Sequence, residues 1–357
     1  MSDVAGAVAV SGFAAARPAG PWQIAWRRFR RDRAAMLGLG FVVLLLLLVS
    51  AGAPLAGHLL GHGPNDPFPY GADVSLRPAG PWTHIPALNS IQVPGDYEIE
   101  HPPPPKGTPN TLLILGADGP LGRDEFLRLL WGGRVTLEVA LGGALISLLI
   151  GVFLGSIAAY FGGWVDAFVS RLVDLVMSFP LLLFLLMLGT VATPHLDRVT
   201  FGGLLDQGVL LLILLIGAFT WFYPARIVRA EILSLRQRDF VEAAEMLGSS
   251  DRRILVRHLV PHVAPPLIAY ATVLVSTNVM LEAGLSFLNV GVKLPTASWG
   301  TMLTATWGSL LSQTSYDPLA FSIWPTLIPS VAIFLAALAF NLLGEGLRAA
   351  FDPEAVR

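Results

Sequence analysis

The sequence predicts an all-α membrane protein with six transmembrane helices, and three observations carry that expectation. Hydrophobic residues make up 54% and charged residues 13% of the 357 positions, whereas soluble domains carry about 25% charged residues. That leaves too little polar surface to cover a water-facing globule. Six apolar stretches approach or exceed the roughly 20 residues of helix that cross a bilayer's hydrocarbon layer. Finally, the arginines gather in two segments separated by an even number of those stretches.

The spans are read as Ala35–Ala56, Val135–Phe161, Leu172–Ala192, Gly208–Tyr223, Val263–Ala283 and Phe321–Leu343. The fourth is short and is expected to run past Pro224 towards Val228. Pro180, Pro224 and Pro325 lie in or near spans, where neighbouring helices can satisfy the freed carbonyls. Of the 23 Lys and Arg, six precede the first span: Arg17, Arg27, Arg28, Arg30, Arg31 and Arg33. Seven more separate spans four and five: Arg226, Arg229, Arg236, Arg238, Arg252, Arg253 and Arg257. The positive-inside rule assigns both segments, and with them both termini, to the cytosol. Acids crowd the first loop instead (Asp66, Asp73, Asp96, Glu98, Glu100, Asp118, Asp124 and Glu125) and direct it outward. Arg27-Arg28 and Ala51-Gly52-Ala53 resemble the parts of a cleavable leader, but the apolar run exceeds the 7–15 residues of a signal core. The first span is therefore read as a retained anchor.

The chain accordingly divides into a cytosolic segment (1–34), an anchor (35–56), an extracytoplasmic loop (57–134), a five-helix core (135–347) and a cytosolic tail (348–357). The loop holds 12 of the 27 prolines between Pro64 and Pro109, which favours extended, turn-rich backbone over a long helix. Its end, Arg123–Trp131, reads as a short amphipathic helix laying Phe126, Leu127, Leu130 and Trp131 in the outer interface.

Several chemistries are excluded or disfavoured. With no cysteine there is no disulfide, thiolate metal site or Cys nucleophile. A net charge of −2 without a basic, aromatic-interleaved patch argues against nucleic acid. His58 and His62 sit four apart, but Gly61 and Pro64 interrupt a helix there and the HLLGH string lacks the Glu of a HExxH zinc site, so they read as surface residues. A P-loop needs Gly-Lys-Ser/Thr, and the only lysines are Lys106 after Pro105 and Lys293 after Val292. If ATP drives any activity of this chain, its ATPase, with ATP and Mg, is another polypeptide. No cofactor or metal is expected on this one.

The cytosolic segment 236–261 is the strongest candidate for function. Within it, Asp239–Pro261 reads DFVEAAEMLGSSDRRILVRHLVP. Asp239 followed by Glu242 has capping-box spacing, starting a helix near Phe240 that Gly248 can stop in left-handed conformation. Ser249 or Asp251 then caps a second short helix through Ile254 towards His258, and Pro261 precedes the next span. Ala243 and Ala244 allow close approach by another surface, to which Glu242 offers a carboxylate.

Here the residues resemble a known family. Glu-Ala-Ala, three residues, Gly and a hydrophobic stretch ending in Pro is similar to the EAA loop of ABC importer permeases. VEAAEMLG with ILVRHLVP resembles the C-type permease of the dipeptide/oligopeptide/nickel group. LGRDEFLRLLWGGRVTL, YFGGWVDAFVSRLVDLVMSFP, EAGLSFLNVGVKLPTASWGTML and FNLLGEGLRAAFDP resemble further segments of it, so the likeness runs from about Arg27 to Pro353. It implies the type I importer (MetI-like) architecture in a bacterial inner membrane. It also implies a second homologous permease subunit as partner, two ATPase subunits and an extracytoplasmic substrate-binding protein. The ATPases would dock on Glu242, Ala243, Ala244, Gly248, Asp251, Ile254 and Pro261, and their closure would move the coupling helices and switch the pathway. Peptides or related small solutes are the implied cargo.

Polar groups at membrane depth are Ser276, Thr277, Asn278 and Asn341. Helix–helix hydrogen bonding is their first reading and pathway lining, together with Glu282, the second. Glu138 and Glu282 are expected near outer span ends, Glu345 and Arg348 near an inner one, where interface placement removes most of the burial cost. Two other classes stay in view. A secondary transporter would need coupled ion sites and inverted repeats, and no repeat is evident. An intramembrane enzyme would need buried catalytic pairs.

Overall fold

The computed structural model describes residues 21–72, 78–87, 104, 106–119, 121–196, 208–304 and 324–351. Expectations for residues 1–20, for Asp73, Asp96, Glu98 and Glu100, for most of the Pro102–Pro105 run, for residues 321–323 and for the tail from 352 lie outside the described residues.

Among the described residues, five helical stretches are long and apolar enough to cross a membrane: residues 33–60, 125–161, 209–235, 251–287 and 324–351. A sixth crossing is a bent pair. Helix α1 (Pro21–Phe29) leads into α2 (Arg33–Leu47), which a π turn at Leu48–Gly52 joins to α3 (Ala53–Leu60). Asp32 starts α2 by accepting hydrogen bonds from the Ala34 and Ala35 amides at 2.9 and 3.2 Å, the usual cap for a helix's orphan donors. Helix α4 (Glu125–Phe161), 37 residues long, measures about 55 Å at 1.5 Å per residue. It is followed by α5 (Gly163–Met177), α6 (Leu181–Leu196), α7 (Val209–Thr220) and α8 (Phe222–Leu235). Then come α9 (Asp239–Met246), α10 (Asp251–Arg253), a π turn (Ile254–Leu259), α11 (Val260–Phe287) and α12 (Trp324–Phe351).

The third span departs from expectation. Instead of one straight helix over Leu172–Ala192, α5 and α6 meet at 87° across Ser178–Pro180. Pro180 donates no amide hydrogen and disfavours helix at the residue before it, so α6 starts afresh after it. The fourth span continues through Pro224 to Leu235, beyond the expected Val228. The expected interfacial helix at Arg123–Trp131 does not form as a separate element. Arg123 and Asp124 are strand residues, and Glu125 onward is the first turn of α4, with Leu127 and Leu130 buried. The Asp124 carboxylate explains the difference: it accepts from the Phe126 and Leu127 amides at 2.8 and 3.1 Å and so starts the long helix there.

Helix α4 is the centre of the bundle. One core packs it against α2, α11 and α12 through Leu137, Ala140, Leu274, Val279, Phe340 and neighbours. A second joins it to α6, α7 and α11, and a third, at its C-terminal end, to α8, α9 and the start of α11. Its contact with α8 is made at Gly151 and Gly155, four apart. A methyl group on Gly151 would lie 2.5 Å from Pro224 Cβ, and one on Gly155 2.5 Å from the Ala225 carbonyl oxygen. This is the small-xxx-small device by which membrane helices approach closely.

At the N-terminal end of α4 the described part of the long loop forms two small hairpins. Strands β1 (Thr83–Pro86) and β2 (Asn110–Leu113) pair antiparallel with Thr83 opposite Leu113, and β3 (Ala117–Asp118) pairs with β4 (Arg123–Asp124). Phe68, Ile85, Leu113 and Ala117 make their core. A buried ionic cluster fastens them to α4: Arg128 pairs with Asp118, Arg123 Nη2 lies 3.2 Å from Asp118, and Arg128 Nη1 donates to Asn65 at 2.7 Å. His62 is not a surface residue as expected. It is nearly covered and bonds Asp124 at 3.0 Å. Burial pushes its imidazole down, but the hydrogen bond and negative charge of Asp124 outweigh that and raise it above the ordinary value.

Two outcomes follow. Gly155→Leu should overpack the α4–α8 contact by about 1–3 kcal/mol and lower the yield of folded protein, read by size-exclusion profile in detergent; a wild-type profile would refute the close packing. Because the folded His62 value is raised, its stabilisation is full below the unfolded value and is lost as pH rises through the folded one. Melting temperature should therefore fall across that window in wild type, and His62→Gln should flatten that part of the profile.

Candidate coupling site

Helix α9 stands at the end of the bundle opposite the hairpins. It begins one residue earlier than expected: Arg238 holds the extended cap position and Asp239 is already in the first turn, with no side-chain cap. The capping box is thus not formed. Glu242 is left exposed on the helix face. The stop is as expected in kind. Gly248 has φ +76°, its amide donates to Glu245 O at 2.9 Å, and the Ser249 amide reaches back to Ala244 O at 3.0 Å. That pair of bonds is the Schellman ending, which a glycine enters without a Cβ penalty.

One buried side chain anchors α9. Val241 packs with Ile254 and Leu259 of the π turn, Val228 and Ile232 of α8 and Tyr160 at the end of α4. The opposite face is open: Glu242 and Ala243 are exposed, Met246 is 82% and Leu247 86% exposed. An apolar tip of this kind outside any crossing calls for a covering surface. Met246 and Leu247 are no fixed part of a motif in the sequence; their place directly before the left-handed stop was the available signal.

The second short helix of the expectation is absent as a separate element. Asp251–Phe287 is one helical stretch of 37 residues, with Ser250 in the extended cap position. The π turn at Ile254–Leu259 widens the helix just before Pro261, where a proline would otherwise collide with the preceding turn. Ile254 is buried, Pro261 exposed along the stretch, and Asp251 accepts a 2.8 Å hydrogen bond from the Tyr160 hydroxyl. The Arg236 guanidinium lies 5.6 Å over the same ring, within cation–π range. So Glu242, Ala243 and Gly248 share one exposed tip with Ala244 half-buried behind it, while Asp251 and Ile254 tie the loop to the bundle.

Ion pairs brace the bent third crossing beside it. Arg229 of α8 grips Asp166 of α5 with Nε and Nη2 at 2.5 and 2.7 Å, and Arg226 reaches Asp174 at 2.9 Å. Neither pair was foreseen; i,i+3 spacing of Arg226 and Arg229 on one helix face was the signal.

The polar groups at membrane depth are mostly spent on neighbouring helices. Ser276 Oγ donates to Ala337 O of α12 at 3.0 Å, and Asn278 Nδ2 to Ala140 O of α4 at 3.1 Å. Glu282 lies near the end of α11, as expected, but it is fully buried within the protein. Its carboxylate accepts from Thr136 of α4 and from Ser286, each at 2.8 Å. Thr277 is exposed and bonds only Val273 O within its own helix, and Asn341 is exposed on α12. Glu138 makes an exposed i,i+4 pair with Arg134 at 2.9 Å, and Glu345 and Arg348 are exposed.

Residues 151–357 match the family described as the binding-protein-dependent transport system inner membrane component, and residues 20–78 match the N-terminal TM domain of oligopeptide transport permease C. The chain belongs to the binding-protein-dependent permease family. It is 35% identical over 336 residues to a provisionally named peptide permease of Brucella ovis, covering 94% of this chain and 92% of that one. It is 32% identical over 337 residues to the dipeptide transport system permease DppC of Lactococcus lactis (94% and 91%). To the oligopeptide transport system permease OppC of Haemophilus influenzae it is 31% identical over 334 residues (93% and 88%).

The permease is a multi-pass inner-membrane subunit of an ABC importer, a transport component rather than an enzyme. Family membership decides against the secondary transporter. The likeness on which the sequence was placed, to the C-type permeases, is the one these relatives bear out.

Gly248 offers a test of the local geometry. Gly248→Val puts a branched side chain into left-handed backbone, costing about 1–2 kcal/mol. Hydrogen exchange of residues 243–249 should quicken while that of α4 and α11 stays as in wild type; equal exchange in the loop would refute the Schellman ending.

Proposed function

We propose that this permease moves di- or oligopeptides, or a closely related small solute, inward as the C-type half of a heterodimeric pathway. A second homologous permease is its partner in the bilayer. Two ATPase subunits, which would hold the ATP and Mg, engage the two permeases from the cytosol, and an extracytoplasmic binding protein delivers cargo. Both termini face the cytosol in this reading, supported by the arginine clusters at residues 27–33 and 226–257. Relatives named as peptide permeases support the cargo class.

The observation that carries the docking part is the exposed tip of α9 with its rigid mounting. Glu242, Ala243, Met246 and Leu247 form a surface with a central apolar patch, and Val241, Ile254 and the Tyr160–Asp251 bond tie that surface to α4, α8 and α11. A push on the tip is therefore a push on three crossings. Such a lever suits switching between two packings of the permease pair, the general form of an alternating device. Ser276, Asn278, Glu282 and Asn341 remain the pathway candidates. Of these, Asn341 is the one whose side chain stands on an exposed helix face, and the other three serve helix packing first.

Co-expression with the cognate permease and ATPases tests the reading. Wild type should carry the ATPases through purification, and peptide-loaded binding protein should stimulate ATP hydrolysis in proteoliposomes. Glu242→Arg and Gly248→Asp should lose the ATPases or the stimulation. If both variants keep full stimulation, α9 is not the docking element. If peptides give none in wild type, the cargo assignment falls.

A further inference from the structure

A feature at the α9 end of the bundle has no part in docking or in the pathway. Helix α1 lays Trp22, Ala25, Trp26 and Phe29, spaced i, i+3, i+4 and i+7, along the last turns of α12. Trp22 meets Phe351 edge to face with ring centroids 5.0 Å apart. Ala25 and Phe29 are buried, while Trp22 and Trp26 remain 55% and 53% exposed. Between α1, α12 and the early turns of α11 lies a cavity of about 130 Å³ lined by apolar side chains, among them Trp22, Trp26, Phe29, Ile268, Leu347 and Phe351. The space is open on one side and almost wholly apolar, so it suits part of a hydrocarbon chain better than water.

The surroundings say what fills it. Residues 27–33 carry five arginines, and Arg27, Arg30, Arg31 and Arg33 are exposed. The single acid in that stretch, Asp32, is committed to the Ala34 and Ala35 amides as the cap of α2. Arg27 is exposed in the last turn of α1, and Arg30, Arg31 and Arg33 follow it in the turn and at the start of α2, the arrangement of a helix lying in a membrane interface with its apolar side inward and basic residues among headgroups. A cluster of basic residues directly before a span attracts anionic lipid.

We propose that this corner is a binding site for an anionic phospholipid of the adjacent leaflet. Part of one acyl chain enters the space between α1, α11 and α12, and the phosphate lies among the exposed Arg27, Arg30, Arg31 and Arg33. The bound lipid would fill the gap beside α1 and hold it on α12. Gly346 of α12 approaches Ala35 there so closely that an added methyl group would lie 2.1 Å from its Cβ. The proposal is independent of cargo and of ATPase docking, and requires only that α1 lies at the membrane surface.

Native mass spectrometry of the full-length permease tests it, with phosphatidylglycerol and phosphatidylcholine of identical acyl chains supplied together. Wild type should retain one phosphatidylglycerol selectively. Arg27→Gln/Arg30→Gln/Arg31→Gln should cut that selectivity by at least about tenfold, from the usual attraction per basic residue. Ile268→Trp, at an exposed position on the cavity wall, should also remove the retained lipid while leaving every arginine in place. Melting curves of both variants confirm that they are folded. Equal retention of the two lipids in wild type overturns the proposal. So does loss with the arginine variant but not with Ile268→Trp, which would mean diffuse surface attraction. Displacement by millimolar inorganic phosphate would also overturn it, because the site would then take a free anion rather than a lipid.

Discussion

The close approach of α4 to α8 at Gly151 and Gly155 is the constraint on which the rest of the bundle depends. With lipid as solvent there is no hydrophobic gain in bringing two helices together, so association rests on van der Waals packing and hydrogen bonds. A glycine pair four apart allows close contact with the Pro224 side chain and the Ala225 backbone that no larger residue could match. The same contact places the segment of α8 that carries Pro224 against another helix, where its disturbed hydrogen-bond ladder is covered. From this seam α4 extends both ways. One end enters the ionic cluster of the hairpins, and the other offers Tyr160 to Asp251. A single 37-residue rod thus connects the two faces of the molecule.

Several of the buried polar side chains bridge neighbouring helices. Glu282 with Thr136 and Ser286 stitches α11 to α4, and the Thr136 hydroxyl also accepts the Trp299 amide at 3.2 Å. Asn278 and Ser276 hold α11 to α4 and α12. In hydrocarbon the alternative to such a bond is an unsatisfied group, so these pairs specify which helix faces meet. They hold α11 in register against α4 and α12. Its helical stretch starts at Asp251, directly after the turn that ends α9.

How much of this was legible in the sequence varies with the physics involved. Composition and the run lengths of apolar residues showed the crossings, because burial in lipid is a property of about 20 consecutive side chains. The Asp239–Gly248 helix and its stop were legible because a left-handed ending demands glycine locally. The capping box was misjudged because Asp239 and Glu242 have the spacing, while backbone direction at Arg238 starts the helix one residue sooner. The burial of Glu282 was missed for a different reason. Its partners Thr136 and Ser286 lie on another helix and one turn along, and nothing in the residues around it announces a hydroxyl 146 positions away.

By itself, the sequence determined the solvent, the number of crossings, their expected orientation and the short helix with its glycine stop in the loop before the fifth crossing, since hydropathy, charge asymmetry and local backbone preference all act over short stretches of chain. Only the tertiary structure decided that the third crossing turns by 87°, that the helix after the outer loop is continuous with the second crossing, and that His62 closes on Asp124. It alone brought Met246 and Leu247 to an open tip and Trp22 over an apolar cavity. Those outcomes depend on which distant side chains fill the remaining space, and packing between helices is settled by three-dimensional fit rather than by any one segment's preference.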